Sequence, residues 1–129
     1  MVFNRNNKNS KPVRRRFEFV SAEERPVFEA VLGDRAKTVV SVLTPTKALY
    51  RIIGDMQNCL AGLSDPDVDA EEAISRVYGA AAELISNNVE GKTFEGAELE
   101  NKYGVTPDYL IRFFNAYTAF LDEVISSKN

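Results

Sequence analysis

The chain has no histidine, no tryptophan and a single cysteine, Cys59. Without histidine there is no imidazole acid or base, no Ser-His-Asp triad, and no zinc site of the Cys/His type. One cysteine cannot close an internal disulfide, which fits a reducing, cytoplasmic setting. Long apolar runs are missing too: none approaches the ~20 residues of a membrane span. The charged N-terminus is followed by no apolar stretch and does not read as a signal peptide. No glycine-rich loop of the phosphate-cradling kind occurs.

What is present resembles an average soluble domain, with 44% hydrophobic and 27% charged residues in 129. A chain of this length forms one compact unit and removes roughly two thirds of its unfolded surface from water, so it needs no disulfide or metal for stability. The net charge of −3 is unevenly spread. Residues 1–16 carry Arg5, Lys8, Lys11, Arg14, Arg15 and Arg16 and no acid, whereas the remainder holds 10 basic against 19 acidic residues. The reading is a disordered basic arm over 1–16 and a single globular α+β domain over 17–129.

Phe17-Glu18-Phe19-Val20 alternates apolar and polar residues, the signature of a short strand, and Ser21 to Pro26 breaks it. Val27–Leu32 and Thr38–Leu43 are rich in β-branched residues and flank Gly33-Asp34-Arg35-Ala36-Lys37, which predicts a hairpin. The rival reading is a helix over Ala22–Leu32 interrupted by Pro26. From Thr44 the period becomes helical. Thr44 reads as an N-cap with Pro45 in the first turn, and Leu49, Ile52, Ile53, Met56, Leu60 and Leu63 follow at three- and four-residue spacing. Cys59 falls within this stripe and reads as a small core residue rather than a reactive thiol.

A second helix follows the loop Ser64–Asp69, with Ala73, Ile74, Val77, Tyr78, Ala81, Leu84 and Ile85 on an arc of about 140°. Gly79 to Ala82 are small, which lets a neighbouring helix come close. Asn87-Asn88 and Gly91 end this helix. A short helix is expected around Glu95–Tyr103, with Ala97 and Leu99 inward and Gly104 as a stop. In the last helix Thr106 is the cap and Pro107 the first residue. Leu110, Phe113, Phe114, Tyr117, Phe120, Leu121 and Val124 lie within about 120°, and Asn115 points the other way. The expected fold class is α+β, mainly α: a short N-terminal β-hairpin packed on a bundle of about four helices.

Asp65, Asp67 and Asp69 imitate the start of a calcium loop. The pattern then fails, because Ala70 stands where the glycine belongs, Arg76 where the bidentate glutamate belongs, and Pro66 stiffens the turn. Capping and dipole matching account for these acids. Glu71, Glu72, Glu95, Glu98 and Glu100 read as solvated helix faces. Arg14, Arg15 and Arg16, followed by Phe17 and Phe19, are the candidate contact residues, suited to phosphates and stacked bases or to an acidic protein surface, including a second copy of this chain. No catalytic, cofactor or metal residue is assigned.

Three stretches resemble one family. Ala81-Ala82-Glu83-Leu84-Ile85-Ser86-Asn87-Asn88, Glu90-Gly91-Lys92, and Leu110-Ile111-Arg112-Phe113-Phe114-Asn115-Ala116-Tyr117 are similar to the small tail assembly chaperones of long-tailed bacteriophages and prophages. There a helix ends in a Ser-Asn-Asn–Glu-Gly-Lys turn, followed by an acidic linker helix and an aromatic helix. A hairpin with a Thr-Pro-Thr entry into a helix is similar as well. The resemblance covers residues 27–121 in organisation; the basic arm is foreign to it.

It implies a non-enzymatic protein of the infected bacterial cytoplasm that binds the tape measure protein and helps tail tube subunits polymerise around it. Tail tube protein is a second implied partner. Such chaperones are often made in two lengths by a ribosomal slip. Ser127-Lys128-Asn129 admits the adenine-rich codons on which a slip is easiest. Beside this reading stands a small nucleic-acid-binding or regulatory protein that uses the arm.

Overall fold

The computed structural model describes residues 25–33 and 37–127. Residues 1–24, which include the arm and Phe17–Val20, residues 34–36 and the last two residues lie outside them. The order of elements is β1 (Val27–Leu32), β2 (Thr38–Leu43), α1 (Lys47–Ala61), α2 (Ala70–Ile85), α3 (Gly96–Asn101) and α4 (Pro107–Ser127), with a 3₁₀ turn at Gly62–Ser64 after α1. This is the mainly helical α+β arrangement that the patterning predicts.

β1 and β2 pair antiparallel, with Phe28 opposite Val42, Ala30 opposite Val40 and Leu32 opposite Thr38. The two-residue period sends Ala30, Leu32, Val40 and Val42 into the core. Their neighbours Val31 and Val39, a directly opposed pair, remain 42% and 47% exposed on the outer face. The hairpin therefore has one buried and one solvated side. Val27–Leu32 is strand, so the helical alternative over Ala22–Leu32 does not hold for its described part.

α2 is the central element and packs against α1, α3 and α4. Of the expected stripe Ile74 is only half-buried, and besides it Ala80 and Ala82 are buried, so the covered arc is wider than the periodicity alone implies. The small residues explain this, because they admit neighbours on several sides. A Cβ added at Gly96 would sit 3.1 Å from the Gly79 amide nitrogen, so α3 begins in backbone contact with α2.

α4 lays Leu110, Phe113, Phe114, Tyr117 and Leu121 into the core and leaves Asn115 exposed, as expected. Phe28 from β1 meets Phe113, Tyr117 and Phe120 at ring-centroid distances of 5.9, 5.6 and 5.7 Å. That aromatic joint fastens the hairpin to the helices.

Two local expectations are corrected. The N-cap of α1 is Thr46, whose hydroxyl accepts the Leu49 N–H at 3.3 Å, and the helix starts at Lys47 rather than at Pro45. Both threonines flank Pro45, and only the second lies three residues before Leu49, where its oxygen reaches a free amide. In α3, Ala97 is exposed and Leu99 alone is buried. Six residues make less than two turns, so one leucine decides the buried face.

Candidate functional site

Residues 86–92 link α2 back to the hairpin through side chains that bond main chain. The Ser86 hydroxyl accepts the Phe94 N–H at 2.8 Å. Asn87 Nδ2 donates to the Thr44 carbonyl at 3.1 Å, which ties the end of α2 to the end of β2. Asn88 is the buried polar residue among those described. Its Nδ2 donates to the Ile85 and Lys92 carbonyls, both at 2.8 Å, and its Oδ1 accepts the Lys92 N–H at 2.9 Å. Gly91, with φ of +72°, takes the left-handed conformation that closes this loop.

The same loop lies along the outer edge of β2. The Leu43 N–H donates to the Asn87 carbonyl at 2.8 Å, and the Val89 N–H donates to the Ser41 carbonyl at 3.0 Å. The Ser41 N–H donates to Glu90 Oε1, also at 3.0 Å. That bond is the main reason the Glu90 carboxyl is held below its ordinary range.

Three tyrosines tie other elements together by donating to carbonyls. Tyr78 bonds Val105, Tyr109 bonds Val31 at 2.9 Å, and Tyr117 bonds Leu43 at 2.8 Å. Burial raises all three phenols above their usual value. They donate hydrogen bonds as neutral groups, and their arrangement is structural.

The concave surfaces formed by described residues include two with apolar interiors. The larger is an open groove between α1 and α2, built from two adjoining concavities of about 530 and 400 Å³ that share Asn58, Cys59 and Arg76. Ile52, Met56, Ala73 and Ala80 supply its apolar floor, and Asp55, Glu72 and Glu83 stand along its length. Val68, 38% exposed, extends the apolar surface at one end. The other is a groove of about 370 Å³ between β1 and α4, with Phe28, Ala30, Tyr109, Phe113 and Ala116 inside and Glu29 and Arg112 at its rim.

The candidate residues from the sequence fall in different places. Arg14, Arg15 and Arg16 lie outside the described residues. Cys59 is half-buried in the α1–α2 groove and packs against the core, in keeping with a small apolar role. Asp69 is the N-cap of α2, accepting the Glu71 and Glu72 amides at 3.1 and 3.3 Å. Asp65 accepts the Asp67 amide at 2.9 Å. The three aspartates thus shape a turn and a helix start. Among the described residues no three acidic or cysteine side chains converge as a metal site, and no helix is long and apolar enough to cross a membrane. Glu98 accepts the Glu95 amide at 3.1 Å at the start of α3.

Sequence reasoning found Asn88 as part of a helix ending but missed its buried bonds, and it missed both grooves. Asn88 bonds backbone, which leaves no trace in residue spacing, and each groove arises from the way two elements pack, which the pattern of either element alone does not show. No protein-family model, curated protein or solved structure matches this chain.

Proposed function

We propose that the chain is a non-enzymatic tail assembly chaperone of a long-tailed bacteriophage or prophage. It acts in the host bacterial cytoplasm, binds the tape measure protein and assists tail tube polymerisation. The observation that carries this reading is the long groove between α1 and α2. Its apolar floor, bordered by Asp55, Glu72 and Glu83, suits one face of an amphipathic partner helix. A tape measure protein is long and largely helical, and its apolar faces need cover until the tube encloses them.

The family resemblance adds to this. Its Ser-Asn-Asn–Glu-Gly-Lys stretch is the loop that joins α2 to the hairpin, and its aromatic stretch is the buried face of α4.

The competing reading, nucleic-acid binding, rests on the six Lys and Arg of residues 1–16. One set of experiments separates the two. The chaperone reading expects the chain to co-purify with a co-expressed long helical protein from the neighbouring genes. Asn58→Trp, an exposed groove position, should weaken that capture about tenfold. Titration with single- and double-stranded DNA should give no binding at physiological salt. Binding that falls steeply with salt and vanishes when residues 1–16 are deleted, with no capture of the helical protein, would replace the chaperone reading with the nucleic-acid one.

A further inference from the structure

In an antiparallel pair, alternate residues of each strand turn their N–H and C=O away from the partner. On β2 these are Ser41 and Leu43, as their bonds to residues 87–90 show. Their cross-strand partners, Glu29 and Val27, together with Val31, therefore aim their backbone groups outward along the far edge of β1. At Val31 the carbonyl takes the Tyr109 hydroxyl. Between Val27 and Ala30, no described residue bonds this edge. Directly beside it lies the β1–α4 groove with its aromatic interior. A four-residue strip of backbone donors and acceptors next to an apolar groove suits an extended segment, because a helix satisfies its own backbone.

The sequence contains a segment of that length and pattern. Phe17-Glu18-Phe19-Val20 has four alternating residues and is followed by six, Ser21 to Pro26, before β1 begins. Six residues reach up to ~20 Å, ample to reverse direction across a strand spacing of ~4.8 Å. An antiparallel register would set Val20 opposite Val27, Phe19 opposite Phe28, Glu18 opposite Glu29 and Phe17 opposite Ala30. Both phenylalanines then share the face of Phe28 and Ala30, toward Phe113 and Ala116. A slip of one residue would put Glu18 in the apolar groove and both phenylalanines in water.

We propose that the groove between β1 and α4 is a strand-acceptor site and that its occupant is Phe17–Val20 of the same chain. The register contains one unfavourable pair, Glu18 against Glu29, since like charges directly opposed repel.

Amide hydrogen exchange on the full chain tests this residue by residue. The Val27 and Glu29 amides, which face away from β2, should exchange slowly in the full chain and equally slowly after deletion of 1–16. Deletion of 1–20, or Phe19→Asp, should speed both about tenfold or more, while the Phe28 and Ala30 amides facing β2 stay protected. Glu18→Lys should slow the Glu29 amide further. Equal Val27 and Glu29 rates in all these chains would overturn the proposal.

The occupant is tested separately in a Cys59→Ala background carrying Glu18→Cys and Glu29→Cys. Paired residues in such a register have Cα atoms about 5.5 Å apart, within disulfide reach. A monomeric cross-link supports the assignment. A disulfide-linked dimer would place the strand in a second copy, and failure to cross-link would remove the register; either result overturns the proposal.

Discussion

The two edges of the hairpin are treated differently. The edge of β2 is closed by residues 87–90, which bond Ser41 and Leu43 and are held by the Asn88 side chain. Along β1, Tyr109 bonds Val31, and the stretch Val27–Ala30 borders a groove whose interior is aromatic. Exposed strand edges invite pairing with other chains, and a covered edge does not. The β2 edge is closed by the folded body itself, whereas along the far edge of β1 no described residue bonds the stretch Val27–Ala30, the edge for which a further strand is proposed.

The largest expected effect concerns the joint under the open edge. Phe113 is 4% exposed, lies against Phe28 and stacks on Tyr117 at 5.6 Å. Phe113→Ala should cost about 3–5 kcal/mol through lost burial and a cavity. Asn115→Ala, on the exposed side of the same helix, should change stability by less than about 0.5 kcal/mol. Urea unfolding of both variants checks this. Equal losses would mean that the hairpin is not fastened through α4.

The closed edge breaks at Asn88. Asn88→Ala deletes three hydrogen bonds and leaves the Lys92 amide and the Ile85 and Lys92 carbonyls to find other partners. The expected loss is about 2–4 kcal/mol. Exchange at the Leu43 and Val89 amides should accelerate more than at the hairpin's internal bonds. Unchanged protection at these two amides would show that the loop holds the edge without Asn88.

Tyr109→Phe is a smaller perturbation of the other edge. It removes the hydroxyl that bonds the Val31 carbonyl and keeps the ring in the groove. The expected cost is about 1 kcal/mol, measured by denaturation. A loss as large as that of Phe113→Ala would mean that Tyr109 supports more than the end of β1.

How much of this was legible in the sequence depends on whether side chains or backbone make the contacts. The runs Val27–Leu32 and Thr38–Leu43 matched the observed strands, because alternating β-branched residues with one buried face leave a period of two. The aromatic face of α4 was equally plain. The cap of α1 was misplaced because Thr44 and Thr46 both flank Pro45, and cap geometry rather than composition separates them. Ala97 was misread because a helix of six residues has too little period to fix a face. Of the candidate groove the sequence offered Ile52, Met56, Cys59 and Ala73, but as core stripes, and the arm lies outside the described residues. The loop that closes β2 was visible as an Asn-Asn–Gly helix ending, but its bonds to Ser41 and Leu43 span more than forty residues and meet only backbone groups on β2.

The smallest effect, and the finest distinction between the edges, is the pH response at Glu90. Its Oε1 accepts the Ser41 N–H, and this bond lowers the carboxyl pKa, with a lesser contribution from Lys92. Because the folded pKa is depressed, the stabilisation is present above the ordinary carboxylate value of about 4.3 and is lost as pH falls through the lower folded value. The carboxylate is well exposed, so solvent screening keeps the contribution small. Glu90→Gln retains an acceptor oxygen and removes the charge. The variant should therefore melt slightly below the wild type near neutral pH, and the gap should close as both are acidified below the carboxylate range. Thermal melts at a series of pH values measure it. A gap that stays constant down to low pH would show that Glu90 acts by shape alone, and that charge has no part in closing the β2 edge.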